Sequence, residues 1–167
     1  AVRRRRSKNS NSITLTLIYG VTMAITTSVI CNSFKKELFE GTHNFKQTGG
    51  NSFKLSLYTN SAVLGKSTTS FTTDAQVSNS GQYTSGGGAL VNGGTSLSTN
   101  TAIVDFADRS FTGVTLTARG ALIYNDTASG DPAVCVLDFG GDKTATSGTF
   151  TIQFPAFTAS AAILRVT

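Results

Sequence analysis

Between residues 102 and 154 the chain repeats one pattern, and that pattern leaves little choice of fold. Ala-Ile-Val-Asp-Phe (102–106), Thr-Leu-Thr-Ala-Arg-Gly-Ala-Leu-Ile-Tyr (115–124), Ala-Val-Cys-Val-Leu-Asp-Phe (133–139) and Thr-Phe-Thr-Ile-Gln-Phe (149–154) follow one another, with apolar side chains returning at every second position. A period of two is the signature of a strand with one face buried; a helix would need spacings of three and four. The stretches between them, 108–113, 125–132 and 140–148, are built from Asp, Asn, Ser, Thr and Gly, which is turn chemistry. Successive antiparallel strands are expected. With Phe53–Thr59, Ala89–Asn92 and Ile163–Val166, and with the first and third stretches counted as Ala102–Phe106 and Ala133–Phe139 beside Val114–Tyr124 and Thr149–Phe154, the strands number about seven. That number suits an all-β antiparallel sandwich or jelly-roll-like barrel.

The expected core takes Phe53, Leu55, Leu57, Val104, Phe106, Leu116, Leu122, Val134, Val136, Phe150, Ile152 and Phe154. At 167 residues the chain is long enough for one such domain with an arm. Only 14% of its residues are charged, so Ser, Thr, Asn and Gly must cover the surface. A neutral, hydroxyl-rich exterior suits a protein that packs beside copies of itself or within a larger assembly, and it also suits secreted modules. The net charge of +5 invites a nucleic-acid reading. Its distribution argues against one: five of the basic residues, Arg3, Arg4, Arg5, Arg6 and Lys8, precede Met23, and the nine that follow are matched by all nine acids. No basic patch is left for a nucleic acid.

The first 22 residues read in three ways. A positive start followed by Ile13 to Cys31 resembles a signal peptide; as a membrane anchor the run is broken by Thr14, Thr16, Gly20, Thr22, Thr26, Thr27 and Ser28. The third reading is that residues 1–22 are a non-native leader, because Tyr-Gly-Val-Thr (19–22) back-translates to a purine-rich GGAG just ahead of Met23, the sole methionine. On that reading, which is preferred, the natural chain starts at Met23. Residues 23–48 then form an arm and 49–167 the sandwich.

The arm holds the one helical signal, Ser33 to Gly41. Ser33 is suited to cap it, Phe34 and Leu38 share a face with Phe39 beside them, Lys36 can pair with Glu40, and Gly41 can close the end in a left-handed conformation. So short a helix must dock, either on the sheets or on a neighbouring subunit. His43, the single histidine, is expected as a turn residue bonded to backbone, with a metal shared around a symmetry axis as the alternative. One histidine excludes a metal cluster built from several histidines within a chain. In Phe53–Thr59 the alternation places Phe53, Leu55 and Leu57 on the buried face and Lys54, Ser56 and Tyr58 on the other. Residues 59–85 are a long polar tract, of a length that in a compact domain marks a functional or well-packed loop. The glycines at 86–88 lack the Lys-Ser/Thr of a phosphate loop and read as a sheet entry where backbones approach closely, with a turn at Gly93-Gly94.

Two pairs of acids, Asp105/Asp108 and Asp138/Asp142, fit turns that bond their own backbone, and they also have the make-up of a Ca²⁺ site. Arg119 lies within an apolar strand; buried, it needs a carboxylate, with Asp105 or Asp138 as the candidates, and otherwise it faces outward. Cys31 and Cys135 read as free thiols. No catalytic residue, cofactor or resident metal follows from these patterns.

Taken together, Ser33-Phe-Lys-x-Glu-Leu-Phe-x-Gly-x-His-x-Phe, Phe53-Lys-Leu-Ser-Leu-Tyr-Thr, Tyr83-Thr-Ser-Gly-Gly, Asp105-Phe-Ala-Asp, Thr117-Ala-Arg-Gly-Ala-Leu-Ile-Tyr-Asn, Leu137-Asp-Phe-Gly-Gly-Asp-Lys and Phe150-Thr-Ile-Gln-Phe-Pro resemble a family of small virion structural proteins of tailed bacteriophages, common in marine phages. The resemblance spans Met23 to Val166. It implies a non-enzymatic particle protein, of the capsid decoration, neck or tail, assembled in the host cytoplasm and located in the virion. Its expected partners are other virion proteins and copies of itself, without nucleic acid or membrane. The expected contacts are sheet edges, the 33–41 helix and the 59–85 loop, with Phe34, Leu38, Tyr58, Phe71 and Tyr83 as interaction residues. The alternative is a carbohydrate- or receptor-binding module of a tail fibre, for which Tyr58, Tyr83 and Tyr124 would supply the sugar platforms. A hydrolase, with one histidine and no nucleophile elbow, is disfavoured.

Overall fold

A computed structural model describes residues 25–167. The reading of residues 1–22 as a leader lies outside them. Eight strands and one helix follow in the order β1 (Val29–Ile30), α1 (Asn32–Phe39), β2 (Phe53–Tyr58), β3 (Gly88–Ala89), β4 (Asn92–Ser98), β5 (Thr101–Phe106), β6 (Arg109–Asn125), β7 (Ala133–Ile152) and β8 (Leu164–Val166). They form two antiparallel sheets, one of five strands in the order β1-β7-β6-β2-β3 and one of three in the order β4-β5-β8. The fold is all-β and a sandwich; the sheets do not close into a barrel.

The sheets are joined by aromatic rings. Phe45, in the segment that leads from α1 into β2, stacks on Phe53 of the large sheet with ring centroids 4.4 Å apart, and both rings meet Phe106 of the small sheet at 6.4 and 5.6 Å. Phe34 of α1 closes against Phe45 at 6.0 Å, edge to face, and Phe154 packs on the far side of Phe106 at the same distance. Offset and edge-on contacts of this kind add to what burial of the rings already contributes. The region expected to be an arm is thus part of the core: Ile25, Cys31, Phe34 and Phe45 are all buried in the same cluster as the strands, and β1 pairs with β7 at Val136 and Cys135.

Helix α1 docks its Phe34 face inward on its own chain, and its end is built as the sequence indicates. The Gly41 amide donates to Leu38 O, the Thr42 amide donates to Glu37 O, and Gly41 takes a φ of 73°. This is the paired closure that a glycine after a helix permits. Lys36 and Glu40 pair at 2.9 Å on the exposed side. The start differs from expectation. Cys31 occupies the cap position, no side chain caps the first turn, and the Asn32 amide instead donates to Lys66 O in the following loop, 2.8 Å away.

Three expectations about the strands are corrected. First, 108–113 and 140–148 are not hairpin turns. β6 and β7 are one long antiparallel ladder from Arg109↔Ile152 to Tyr124↔Ala133, and those stretches are its irregularities. Gly140 and Gly141, at φ 71° and 158°, let Phe139–Asp142 bulge out opposite Arg119, so the two stretches 133–139 and 149–154 belong to a single strand ending at Ile152. Second, Gly93-Gly94 lies within β4 as a bulge against β5, not in a turn. Third, Ser56 and Tyr58 are buried as fully as Leu55 and Leu57. The tract 59–87 covers the second face of the large sheet, so β2 and the 120–125 end of β6 have two buried faces. Gly87 shows how close that cover lies: at φ 85°, a Cβ there would meet Leu55 O at 2.0 Å. Of the expected core, Val104 and Phe154 are only partly buried but pack against it.

Because Phe45 touches both sheets, Phe45→Ala should cost about 3–5 kcal/mol, measured as a lower midpoint in urea unfolding, whereas a truncation on the exposed side of α1 such as Lys36→Ala should leave that midpoint unchanged.

Candidate functional site

The residues expected to meet partners do not share one surface. Tyr83 is fully buried: its hydroxyl accepts from the Leu57 amide at 2.9 Å and lies 3.4 Å from Ser56 Oγ. Tyr58 is fully buried too, its hydroxyl donating to Thr72 O at 2.6 Å, and burial pushes that phenol up to about 12. Tyr124 is 2% exposed and donates to Gly86 O at 2.6 Å. These tyrosines pin the 59–87 cover to the sheet, and none of the three presents a ring as a sugar platform. Phe71 stacks on Tyr124 at 4.7 Å and is half-buried, serving the same cover. Phe34 is in the core, and Leu38 is half-buried at the edge of α1.

His43 is buried and held by side chains, which corrects the expectation of a backbone-bonded turn histidine. Its Nε2 donates to Glu37 Oε2 at 2.8 Å, and its Nδ1 accepts from Asn125 Nδ2 at 3.1 Å. The tautomer follows from the partners, since the Asn125 Oδ1 is occupied by the Thr127 and Ala128 amides and its NH₂ must therefore face the ring. The ring lies between Phe34 at 4.8 Å and Phe45 at 6.2 Å. The group ties α1, the 42–51 segment and the end of β6 together.

The acids are likewise committed. Asp138 pairs with Arg119, directly across the ladder from Gly120, and its Oδ1 also accepts the Gly140 amide at 2.8 Å. Of the two candidate partners for Arg119, the structure selects Asp138. Asp142 accepts from Asn60 at 3.1 Å. Asp108 accepts the Phe154 amide and Asp105 the Phe106 amide, both at 2.8 Å. Among the described residues no three His, Cys, Asp or Glu side chains converge as metal ligands. Asp105 is buried, and its desolvation, partly offset by the Phe106 amide and reinforced by Asp108, raises its carboxyl above the usual range. Cys31 and Cys135 are buried free thiols; burial, with Glu37 nearby, pushes Cys31 up to about 11, and burial pushes Cys135 higher still.

Among the described residues two concave surfaces stand out. The larger, about 670 Å³, opens beside β7, with Phe139, Phe150, Phe154 and Ile163 as its apolar walls and Lys143 and Gln153 among its polar ones. The smaller, about 210 Å³, lies between α1 and the small sheet, walled by Phe34, Leu38, Ala102, Val104, Leu164 and Val166. Sequence reasoning missed both, because each is walled by segments far apart in the chain. It also missed the exposed apolar side chains Phe39 (95% exposed), Leu97, Val91, Val63, Val166 and Phe157. Among the described residues no helix is long and apolar enough to cross a membrane. No protein-family model, no curated protein and no solved structure matches the chain.

Two measurements check the electrostatics. A carboxyl raised on folding leaves its contribution intact below the ordinary carboxylate range and loses it as pH climbs through the folded value. Asp105→Asn keeps the oxygen that accepts the Phe106 amide and removes the charge, so it should be more stable than wild type in urea at pH 7 and equal to it near pH 3. With a thiol reagent at pH 8, neither Cys31 nor Cys135 should react in the folded protein, and both should react at once in denaturant.

Proposed function

We propose that this chain is a non-enzymatic structural protein of a bacteriophage particle, a component of capsid decoration, neck or tail that binds other virion proteins and copies of itself. The observation that carries the reading is the surface. Large apolar side chains, Phe39 foremost, stand out from an exterior that is otherwise neutral and rich in hydroxyls. Exposed apolar groups that adjoin one another, as Leu97, Ala102 and Val166 do across the small sheet, mark protein contacts, and the chain from Met23 onward, formally neutral, approaches its own copies without net repulsion. The sequence blocks that resemble tailed-phage virion proteins point the same way. The rigid two-sheet frame, closed on its second face by the 59–87 tract, suits a part that is built into a particle rather than one that opens around a substrate.

The groove beside β7 favours a second reading, a receptor- or carbohydrate-binding module of a tail fibre. It sets three phenylalanines beside Lys143 and Gln153, the mixture of flat apolar and polar groups from which ligand sites are made. Its platforms would be the half-buried Phe139 and Phe154, not the tyrosines.

Mass spectrometry of purified phage particles decides between them. A copy number matching the capsid or the neck and tail rings is expected. Low copy, confined to fibres, together with binding to a glycan array that Phe139→Ala abolishes, would favour the second reading. Absence from particles would overturn both.

A further inference from the structure

We infer that the chain assembles with itself by seating Phe39 of one copy in the apolar groove between α1 and the small sheet of the next. The inference deepens the particle-protein reading and rests on it for its biological setting, but its geometry stands alone.

Phe39 is the last residue of α1 and is 95% exposed. A phenylalanine so placed offers roughly 150–250 Å² of surface to a partner. It cannot serve its own groove: Leu38 forms one wall, and successive helical side chains leave the axis about 100° apart. The Gly41 closure fixes the helix end and so fixes the direction of the knob. The hole is of matching kind. Its volume is about 210 Å³, and an apolar cavity of roughly 150 Å³ already takes up benzene. Arg165 is the one charged residue on its wall, and its guanidinium is held by Ala159 O and Ser160 O.

The groove also has an apolar lip. Leu97, Ala102 and Val166 face one another across all three strands of the small sheet, Leu97↔Ala102 in β4–β5 and Ala102↔Val166 in β5–β8. Directly paired residues share a face, and all three are exposed, Leu97 by 71% and Val166 by 61%. The row continues the face on which Thr95, Val104 and Leu164 lie two residues further in. An incoming helix end would cover it. Helix α1 carries Lys35, Lys36 and Glu37, and Glu40 caps its end, so two copies meet with both signs of charge and no single-sign repulsion.

Knob and hole adjoin on one chain, Leu38 walling the hole beside Phe39, so two copies can exchange knobs in a two-fold pair or repeat the contact head to tail into a ring or a lattice. One ring and one short row fall short of the roughly 800 Å² per partner of a standard interface. A single contact is therefore weak, and the assembly depends on repeating it.

The test is light scattering of the purified chain from low to high micromolar concentration, with Phe39→Ser removing the knob and Ala102→Lys blocking the hole; Leu97→Lys replaces the latter if it fails to fold by circular dichroism. Wild type should rise in mass with concentration, and each variant should stay monomeric. An equal mixture of the two variants retains one intact knob and one intact hole, and should form a dimer and nothing larger. A wild type that stays monomeric throughout, an oligomer that survives either variant, or a mixture that stays monomeric would overturn the inference. Incorporation into particles is read separately, by mass spectrometry, so the contact and the particle role can fail independently.

Discussion

The structure turns on the stacking of Phe45 between the two sheets. Phe53 belongs to the five-stranded sheet and Phe106 to the three-stranded one, and Phe45, from neither, touches both. The small sheet has only three strands, two of them edges, and three is the smallest number of strands that stands alone. Its attachment comes from this ring cluster, extended by Phe34 and Phe154. The segment that carries Phe45 is held in turn by polar bonds. Asn51 Oδ1 accepts the Asn44 amide at 2.7 Å, the Asn92 side chain donates to Phe45 O at 3.0 Å, and His43 bridges Glu37 and Asn125. Buried polar groups are costly unless partnered, and here the partners come from α1, β4 and β6, so satisfying them also locks the geometry of the stack.

The second face of the large sheet obeys the same logic. A loop lying on a sheet buries backbone groups that must find partners. Tyr83, Tyr58 and Tyr124 provide them at Leu57, Thr72 and Gly86, while Ser80 Oγ both accepts the Thr115 amide at 2.7 Å and donates to Thr115 O at 3.0 Å along the outer side of β6. The tract behaves as a third layer stitched to the sheet by phenols. That is why Tyr58, Tyr83 and Tyr124 are buried between sheet and cover, while the exposed apolar side chains Phe39, Leu97 and Val166 lie elsewhere, on α1 and the small sheet.

Much of the strand pattern was legible because alternation is local. Phe53, Leu55, Leu57, Phe106, Leu116 and Leu122 are buried as their spacing requires. The stop at Gly41 was legible for the same reason, since a left-handed residue after a helix is almost a statement about glycine. Gly140-Gly141 was misread because positive φ serves a hairpin turn and a bulge equally well, and only the partner strand distinguishes them. Ser56 and Tyr58 were assigned to an open face because alternation reports that faces differ, not whether a second layer covers the polar one. Phe39 and the row Leu97–Ala102–Val166 carried no signal: two of the row lie in different strands from Ala102, and an exposed phenylalanine reads in sequence like a buried one.

The sequence by itself determined the all-β class, the short helix with its glycine end, the formal neutrality beyond residue 22 and the inward set of apolar residues, because each follows from composition or from neighbours a few positions apart. Only the tertiary structure decided that Arg119 pairs with Asp138, that His43 lies buried between Glu37 and Asn125, that residues 59–87 cover the sheet, and that an apolar groove opens beside a protruding phenylalanine. Those outcomes depend on which strands become neighbours and in what register, and register is set by the packing of segments dozens of residues apart.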